Sequence, residues 1–438
     1  MEKRRGCKKT EERQNMNFSG KNRTVLLLVI DAVGIPTIEY LLSNYSGKPQ
    51  LPNLSRLGLG KLLATRFASR LGRWGGKSRA AAITQASASA DSVVGHREMV
   101  GLIDDRTFSL FPNGFPGGYI KALEKKTGRK TVFNTMAGGI EAIRLNAAEH
   151  ERTGFPIVYA SKCDPLIQLA MDENVIPVSE QHSIADAALA LALEMDIPVT
   201  RAIARAYIKT RDGEIVRTSN RHDAVLPLEG KTLVDMLRQR NVWVVAVGKT
   251  ADLVNTVYDE KIKLANPSFL DPALGLRLVH PGKKDTNPYS VQGTVNAIVS
   301  SKKLYRPDGT FIFTNLVDTD SLYGHTRDVE GAVKCLEEID RIIPVLEKNL
   351  KKGDLLMVTA DHGMQHRSDY GYHNNEPLPL LAERMGHGED LGGLRTGKGK
   401  TLAETGWLAA QVLGCADEFA DICRVTGPAA CGILQVEE

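Results

Sequence analysis

The stretch Leu355-Leu356-Met357-Val358-Thr359-Ala360-Asp361-His362-Gly363 decides how the rest of the chain is read. Its apolar residues predict a buried strand that stops at Asp-His-Gly. In open parallel sheets ligands bind beyond the carboxyl ends of the strands, so Asp361 and His362 stand where chemistry is expected. A carboxylate beside an imidazole suits a divalent metal. A hydrogen-bonded structural pair would look the same, and the metal reading gains weight only because other strands end alike.

Val25-Leu26-Leu27-Leu28-Val29-Ile30 is an uninterrupted aliphatic run that ends at Asp31. Half of it is β-branched, as expected of a central parallel strand buried on both faces. Phe311–Leu316 leads in the same way to Asp318 and Asp320, followed by Gly324-His325. His373 lies in a Gly/Tyr/Asn stretch, expected to be a loop, shortly after His362. A single Asp at such a place is most simply a helix cap or turn residue. The set Asp31, Asp320, His325, Asp361, His362 and His373 points instead to metal. Mixed Asp/His ligation favours zinc or manganese over calcium. Six ligands suit two ions, and paired ions about 3.5–4 Å apart clamp both oxygens of a phosphoryl transfer.

The 438 residues, 42% of them hydrophobic, can bury a large core, and their number allows two or three domains. The net charge of +4 is small and does not argue for nucleic acid. Much of it sits in a basic tail through Lys21 that has no apolar run and is not expected to act as a signal peptide. No segment is apolar over a membrane-spanning length. Six cysteines are scattered without a CxxC pair, which predicts free thiols and a cytoplasmic setting.

Along the chain, Ile38–Leu42 and Pro52–Gly60 read as short helical pieces, and Ala80–Ala90 as a solvent-exposed linker. Asp91-Ser92 follows. Ser92 is the best nucleophile candidate, activated by metals rather than by a triad, since no Gly-x-Ser-x-Gly surrounds it. A helix N-cap role for Ser92 stays open. From Arg106 the texture changes: a strand at Pro156–Ala160, a helix at Ser183–Met195, and a hairpin of Ala202–Thr210 with Glu214–Thr218 about Asp212-Gly213. Arg201, Arg205, Arg217 and Arg221 cluster there, and guanidinium forks match phosphate oxygens. Val242–Val247 is a further strand ending near Lys249. Asp328–Leu350 is an amphipathic helix with an expected kink at Pro344. The loop from Arg395 to Thr401 lacks the leading glycine and strand of a phosphate loop.

With these residues in place, the chain resembles the phosphopentomutases of the alkaline phosphatase superfamily from about Thr24 to its last helix. The likeness is carried by Asp31-Ala-Val-Gly-Ile, Asp91-Ser-x-x-Gly-His-x-Glu98, Ile157-Val-Tyr-x-Ser161, Asn220-Arg-His-Asp223, Val247-Gly-Lys249, Asn315-Leu-Val-Asp-x-Asp320 with Gly324-His325, and Ala360-Asp-His-Gly363. The resemblance implies an α/β, alkaline-phosphatase-like core with a mainly parallel sheet between helices, plus an inserted α+β cap. The expected division is a basic tail over 1–22, a metal-binding core over 23–105 and 227–438, and a cap over 106–226.

It further implies that Ser92, at the family's phosphoacceptor position, bridges two manganese ions, with zinc or magnesium as alternatives. One ion would be held by Asp31, Asp361 and His362, the other by Asp320, His325 and His373. Substrate contacts fall on Ser161, Asp164, Arg201, Ile203, Arg217 and Lys249. One extra residue lies between Tyr159 and Asp164 relative to the family pattern. The implied reaction interconverts a pentose 1-phosphate and 5-phosphate, with a sugar bisphosphate as activator and no nucleic-acid or membrane partner. The family's Thr-Gly-His-Trp-Glu is here Val94-Gly-His-Arg-Glu98, and its Asp-His-Thr-Arg-Glu is Tyr372-His-Asn-Asn-Glu376. A phosphohydrolase, or a mutase for a different sugar phosphate, is the competing expectation; a non-catalytic metal-stabilised binding protein is a further one.

Overall fold

A computed structural model describes residues 22–263, 270–279, 285–304, 306–366, 371–394 and 401–426. The basic tail through Lys21 and the loop over 395–400 lie outside the described residues. In chain order the strands are β1 (Thr24–Ile30), β2 (Arg79–Ile83), β3 (Val132–Met136), β4 (Ile157–Ala160) and β5 (Leu166–Asp172). They continue with β6 (Arg201–Lys209), β7 (Ile215–Arg217), β8 (His222–Val225), β9 (Trp243–Val247) and β10 (Glu260–Ile262). The last are β11 (Thr310–Leu316), β12 (Leu355–Thr359), β13 (Gly363–His366), β14 (Gly371–Asn374) and β15 (Leu378–Arg384).

Seven strands form one sheet in the order β10-β9-β11-β1-β12-β15-β2. Its first five strands are parallel, and β15 and β2 close one edge antiparallel. Every residue of β1, β11 and β12 is buried, so both faces of the sheet are covered. This is the arrangement that the aliphatic run of β1 and the largely apolar β11 and β12 call for. The amphipathic helix Val329–Asn349 covers part of the core and runs on through Pro344 without ending there.

The second sheet, β3-β4-β5-β6-β7 with β8 paired to β6, belongs to the stretch between the two halves of the first. Its side chains alternate between two cores, as a strand's period of two requires. Val158 and Ala160 join Tyr119, Leu123 and Ile184 on one face, whereas Ile157 and Tyr159 join Ile143 and Tyr207 on the other. The β6–β7 hairpin forms at Asp212-Gly213 as expected, with Gly213 at φ +80°. The helix begins earlier than its periodicity implied, spanning Val178–Glu194.

Two expectations need correction. Part of the supposed linker Ala80–Ala90 is edge strand β2, paired to β15; its small residues permit pairing whose partner lies some three hundred positions away. His373 is not in a loop but in β14, paired with β13 so that it faces Met364.

Candidate metal and phosphoryl-transfer site

Four neighbouring parallel strands deliver the site. The order β9-β11-β1-β12 places Lys249, Asp320, Asp31 and Asp361 beyond adjacent carboxyl ends. Register keeps these ends level: Ile30 pairs with Leu316, Val29 with Thr359, and Thr314 with Val247. Two acids follow β11, and they divide their tasks. Asp318 turns inward and accepts hydrogen bonds from Thr286 N, Thr286 Oγ1 and Asn287 N at 2.7–2.8 Å, capping the helix Asn287–Lys303. Asp320 begins a widened π-type turn, Thr319–Gly324, in which the His325 N–H donates to the Asp320 carbonyl at 3.2 Å. Such turns are rare and recur at functional sites. This one brings His325 Nε2 within 3.1 Å of Asp320 Oδ1.

Two ligand trios result. Atoms of Asp31, Asp361 and His362 that could hold a metal ion lie within 4.8 Å of one another, and so do those of Asp320, His325 and His373. His362 Nε2 is 3.4 Å from Asp31 Oδ1, and His373 Nε2 is 3.2 Å from Asp320 Oδ1. The trios adjoin, because the His362 and His373 rings stack at 3.9 Å between centroids. The hydroxyl of Ser92 lies against the first trio, 3.1 Å from His362 Nε2 and 3.4 Å from Asp31 Oδ1. Asp91 is the N-cap of the helix Ser92–Met99, accepting from Val93 N at 2.8 Å, which answers the capping question and leaves Ser92 Oγ aimed at the acids.

The electrostatics are those of acids and imidazoles crowded into one buried cluster. Burial, then the charges of Asp361 and Asp320, push the Asp31 carboxyl above its ordinary range. Burial also presses upward on Asp320 and Asp361, but the neighbouring imidazoles win: His325 and His373 hold Asp320 low, and His362 and His96 hold Asp361 low. His373 Nδ1 is buried without a hydrogen-bond partner, and Asp361 Oδ2 is buried with only the imidazoles of His96 at 3.3 Å and His362 at 3.6 Å beside it. Unpaired buried polar atoms are costly, and donors of this kind, so grouped, fit divalent cations.

Sequence reading missed the layer behind these ligands. His96 is wholly buried, with Nδ1 at 2.8 Å from the Ser92 carbonyl and 3.3 Å from Asp361 Oδ2. Asn315 Nδ2 lies 3.1 Å from Asp31 Oδ2, to which it donates, and 3.2 Å from His96 Nε2. An amide nitrogen only donates, so His96 Nε2 accepts and its proton sits on Nδ1. The four-residue spacing from Ser92 to His96, one helical turn, was the available signal. Gly95 is required here, since a Cβ would overlap the Asp361 carbonyl. Ala32, just past Asp31, takes a left-handed φ of +60° and donates its N–H to Asp361 Oδ1 at 3.1 Å.

The second sheet faces this centre across a cavity of about 230 Å³, which both Ser92 and Asp31 line. Ser161, Asp164, Arg201, Ile203, Arg217 and Lys249 all line it as well. On β6 the alternation turns Arg201, Ile203 and Arg205 to the cavity while Ala202 and Ala204 enter the core. Arg221 and Gln168 complete the wall. Arg201 spans the gap, with Nη2 at 3.6 Å from Asp91 Oδ2 and 3.5 Å from Asp164 Oδ1. Burial alone would lower its pKa, but Asp91 and Asp164 hold it up. Burial and then Arg221 lower that of Lys249. Cys163 also opens on the cavity, and burial, then Asp164, push its thiol up to about 11. A larger cavity of about 520 Å³ lies between the segments 102–106 and 227–231, where the chain passes between the sheets, and touches neither trio.

Residues 281–416 match the model of the metalloenzyme superfamily. The phosphopentomutase of Pseudothermotoga lettingae is 35% identical over 370 residues, covering 82% of this chain and 88% of its own. That of Caldanaerobacter subterraneus subsp. tengcongensis is 34% identical, covering 89% and 93% respectively. Among solved structures, alkaline phosphatase from the Antarctic bacterium TAB5 aligns over 90% of this chain and 98% of its own, with a TM-score of 0.35 and 12% identity. Sequence identity at this level, sustained across most of both chains, means that this chain belongs to the phosphopentomutase family.

Proposed function

We infer that the protein is a phosphopentomutase-type intramolecular phosphotransferase, an isomerase that moves a phosphoryl group between the 1- and 5-positions of a pentose. The observation that carries this reading is Ser92 Oγ lying 3.1 Å from His362 Nε2, against one of two adjoining ligand trios, in the wall of an arginine-lined cavity. A phosphatase needs the nucleophile and the metals; a mutase must also grip the sugar phosphate while it turns.

Asp31, Asp361 and His362 would hold one cation and Asp320, His325 and His373 the other. Manganese is our assignment for both, with zinc and magnesium suited to the same donors. Bound there, the ions supply Lewis-acid stabilisation of phosphoryl charge and a lowered hydroxyl pKa at Ser92. The phosphoryl group resides on Ser92. The free hydroxyl of the sugar phosphate attacks phosphorus as the Ser92 Oγ–P bond breaks. This gives a bisphosphate, and the hydroxyl proton ends on Ser92 Oγ. The bisphosphate reorients, and Ser92 Oγ takes the other phosphoryl group, returning its proton to the freed sugar oxygen. Arg201, Arg217 and Lys249 bind the phosphate remote from Ser92, where guanidinium forks give two parallel hydrogen bonds. Asp164, Ser161 and Ile203 orient the sugar. A sugar bisphosphate recharges Ser92 and so serves as activator.

Among the described residues no helix is long and apolar enough to cross a membrane. The four described cysteines, Cys163, Cys335, Cys415 and Cys423, are free thiols, which supports a cytoplasmic, reducing setting. The test is phosphorus NMR with ribose 1-phosphate, manganese and a trace of sugar bisphosphate. Ribose 5-phosphate should accumulate with its phosphate retained. Stoichiometric inorganic phosphate would make the enzyme a hydrolase, and neither product would remove the pentose assignment.

A further inference from the structure

We propose that Arg205 is a further specificity-determining residue, which together with Arg217 seats the phosphate remote from Ser92 as a dianion. The inference rests on the mutase reading above and adds to it a contact that the family resemblance does not supply. Arg205 lies on β6, two residues beyond Ile203 on the strand face that lines the cavity. Across the sheet, Tyr159, Gln168, Ile203 and Asp223 stand opposite one another in register. Gln168 fixes the guanidinium: its Oε1 accepts from Arg205 Nε at 2.9 Å and from the Tyr159 hydroxyl at 2.8 Å. A guanidinium held by Nε keeps its two terminal nitrogens as a planar fork. Among the described residues no carboxylate forms a salt bridge with this fork, and it borders the cavity.

A second observation points to the same ligand. Arg217 comes in from β7, and its Nε is buried without a hydrogen-bond partner. It can lie there only because residue 139 is glycine: a Cβ would overlap the Arg217 guanidinium and stand 2.9 Å from the Tyr159 hydroxyl. Arg221 is a third cation, and it donates two hydrogen bonds to Asp223. Three guanidiniums thus share the Asp223 carboxylate, which leaves positive charge unmatched at Arg205 and Arg217. Burial, then Arg221, press the Arg205 pKa down to about 9, as crowded like charges should.

Buried charge without a counter-charge is costly. A phosphate monoester carries a charge of about −1.5 to −2 at neutral pH and three strong acceptor oxygens, so it matches both the surplus and the fork. A neutral sugar hydroxyl matches neither. Arg205 therefore selects for substrates that carry a phosphate at the end remote from Ser92, and Gln168 is the positioning residue that aims it.

The test uses the full chain loaded with Mn2+ and compares wild type with Arg205→Met, which keeps bulk and removes the fork. The KM for ribose 1-phosphate should rise roughly 30-fold, the size of a lost charge-assisted contact. Turnover should change less than about threefold, as for an interaction made equally in ground and transition states. Arg205→Lys keeps the charge without the fork, and its KM should fall between the two. Calorimetric affinity for ribose 5-phosphate should weaken in parallel with KM, while the ligand-free melting temperature of Arg205→Met should be no lower than that of wild type. An unchanged KM in Arg205→Met, with or without a lower melting temperature, would overturn the seat and leave the mutase reading standing. If wild type isomerises no pentose phosphate, the mutase reading falls and the titration decides the seat. Affinity for ribose 5-phosphate that Arg205→Met weakens would sustain it; equal affinities, or no binding to wild type, would overturn it. Should the methionine variant fail to fold, Arg205→Lys carries the same comparison.

Discussion

At the scale of single residues, the site works because neighbouring side chains are assigned different tasks. Asp91 caps the helix and Ser92 faces the trio; Asp318 caps a helix and Asp320 faces the other trio. Each pair would be ambiguous as a string of letters, since either member could cap. This division makes Ser92 separable from the scaffold. Its Oγ contacts only ligand groups, so Ser92→Ala should lower turnover by roughly three orders of magnitude or more. It should leave metal content at two ions per chain. Steady-state rates with metal analysis of the same sample check this; loss of metal alongside activity would recast Ser92 as structural.

At the scale of elements, the helix Ser92–Met99 links the site to the passage between the sheets. Arg97, buried on this helix, donates to the carbonyls of Leu226, Pro227 and Leu253. Leu226 and Pro227 lie just past β8, where the chain returns toward the first sheet. Arg97→Met keeps bulk but leaves these carbonyls unpaired, at about 1–3 kcal/mol for each group that stays buried. Unfolding in urea should show a loss of at least about 3 kcal/mol in total, and an unchanged midpoint would mean that water replaces the guanidinium. Elements were legible where burial is two-sided: β1 is a continuous aliphatic run, β11 and β12 are largely apolar, and the acids beyond them could be read directly. Edge strand β2 was not, because Arg79–Ile83 acquires its conformation from pairing with β15. Strand β5, Leu166–Asp172, went unread between turns whose spacing gave no helical or alternating period. His96 and Asn315 escaped for a different reason: the one-turn step from Ser92 hints at His96, but the contacts of both with Asp361 and Asp31 join elements far apart in the chain.

At the scale of the whole molecule, pH and metal are the levers on stability. Burial presses the Asp223 carboxyl upward, but Arg221, then Arg201 and Arg205, hold it well below its ordinary 3.8. A carboxylate whose native pKa lies beneath the unfolded value stabilises the fold above that value, and the contribution fades as pH falls through the native one. Stability should therefore decline below about pH 4 more steeply in wild type than in Asp223→Asn, as read from urea midpoints across a pH series; equal slopes would deny the pairing any thermodynamic weight. The metal lever acts at neutral pH. Asp31, Asp320 and Asp361 are buried together, and burial with the two neighbouring charges already strains Asp31. Ions that bind only the folded chain stabilise it by about 2.7 kcal/mol each at a hundredfold excess over Kd. Chelation should accordingly lower the melting temperature by on the order of 5 °C, and manganese should restore it. Asp361→Ala and Asp320→Ala sit in different trios. Each should leave one ion per chain and about half of the thermal response. A melting temperature indifferent to chelator, or a single substitution that removes both ions and the whole response, would show that the six ligands do not act as two separate sites.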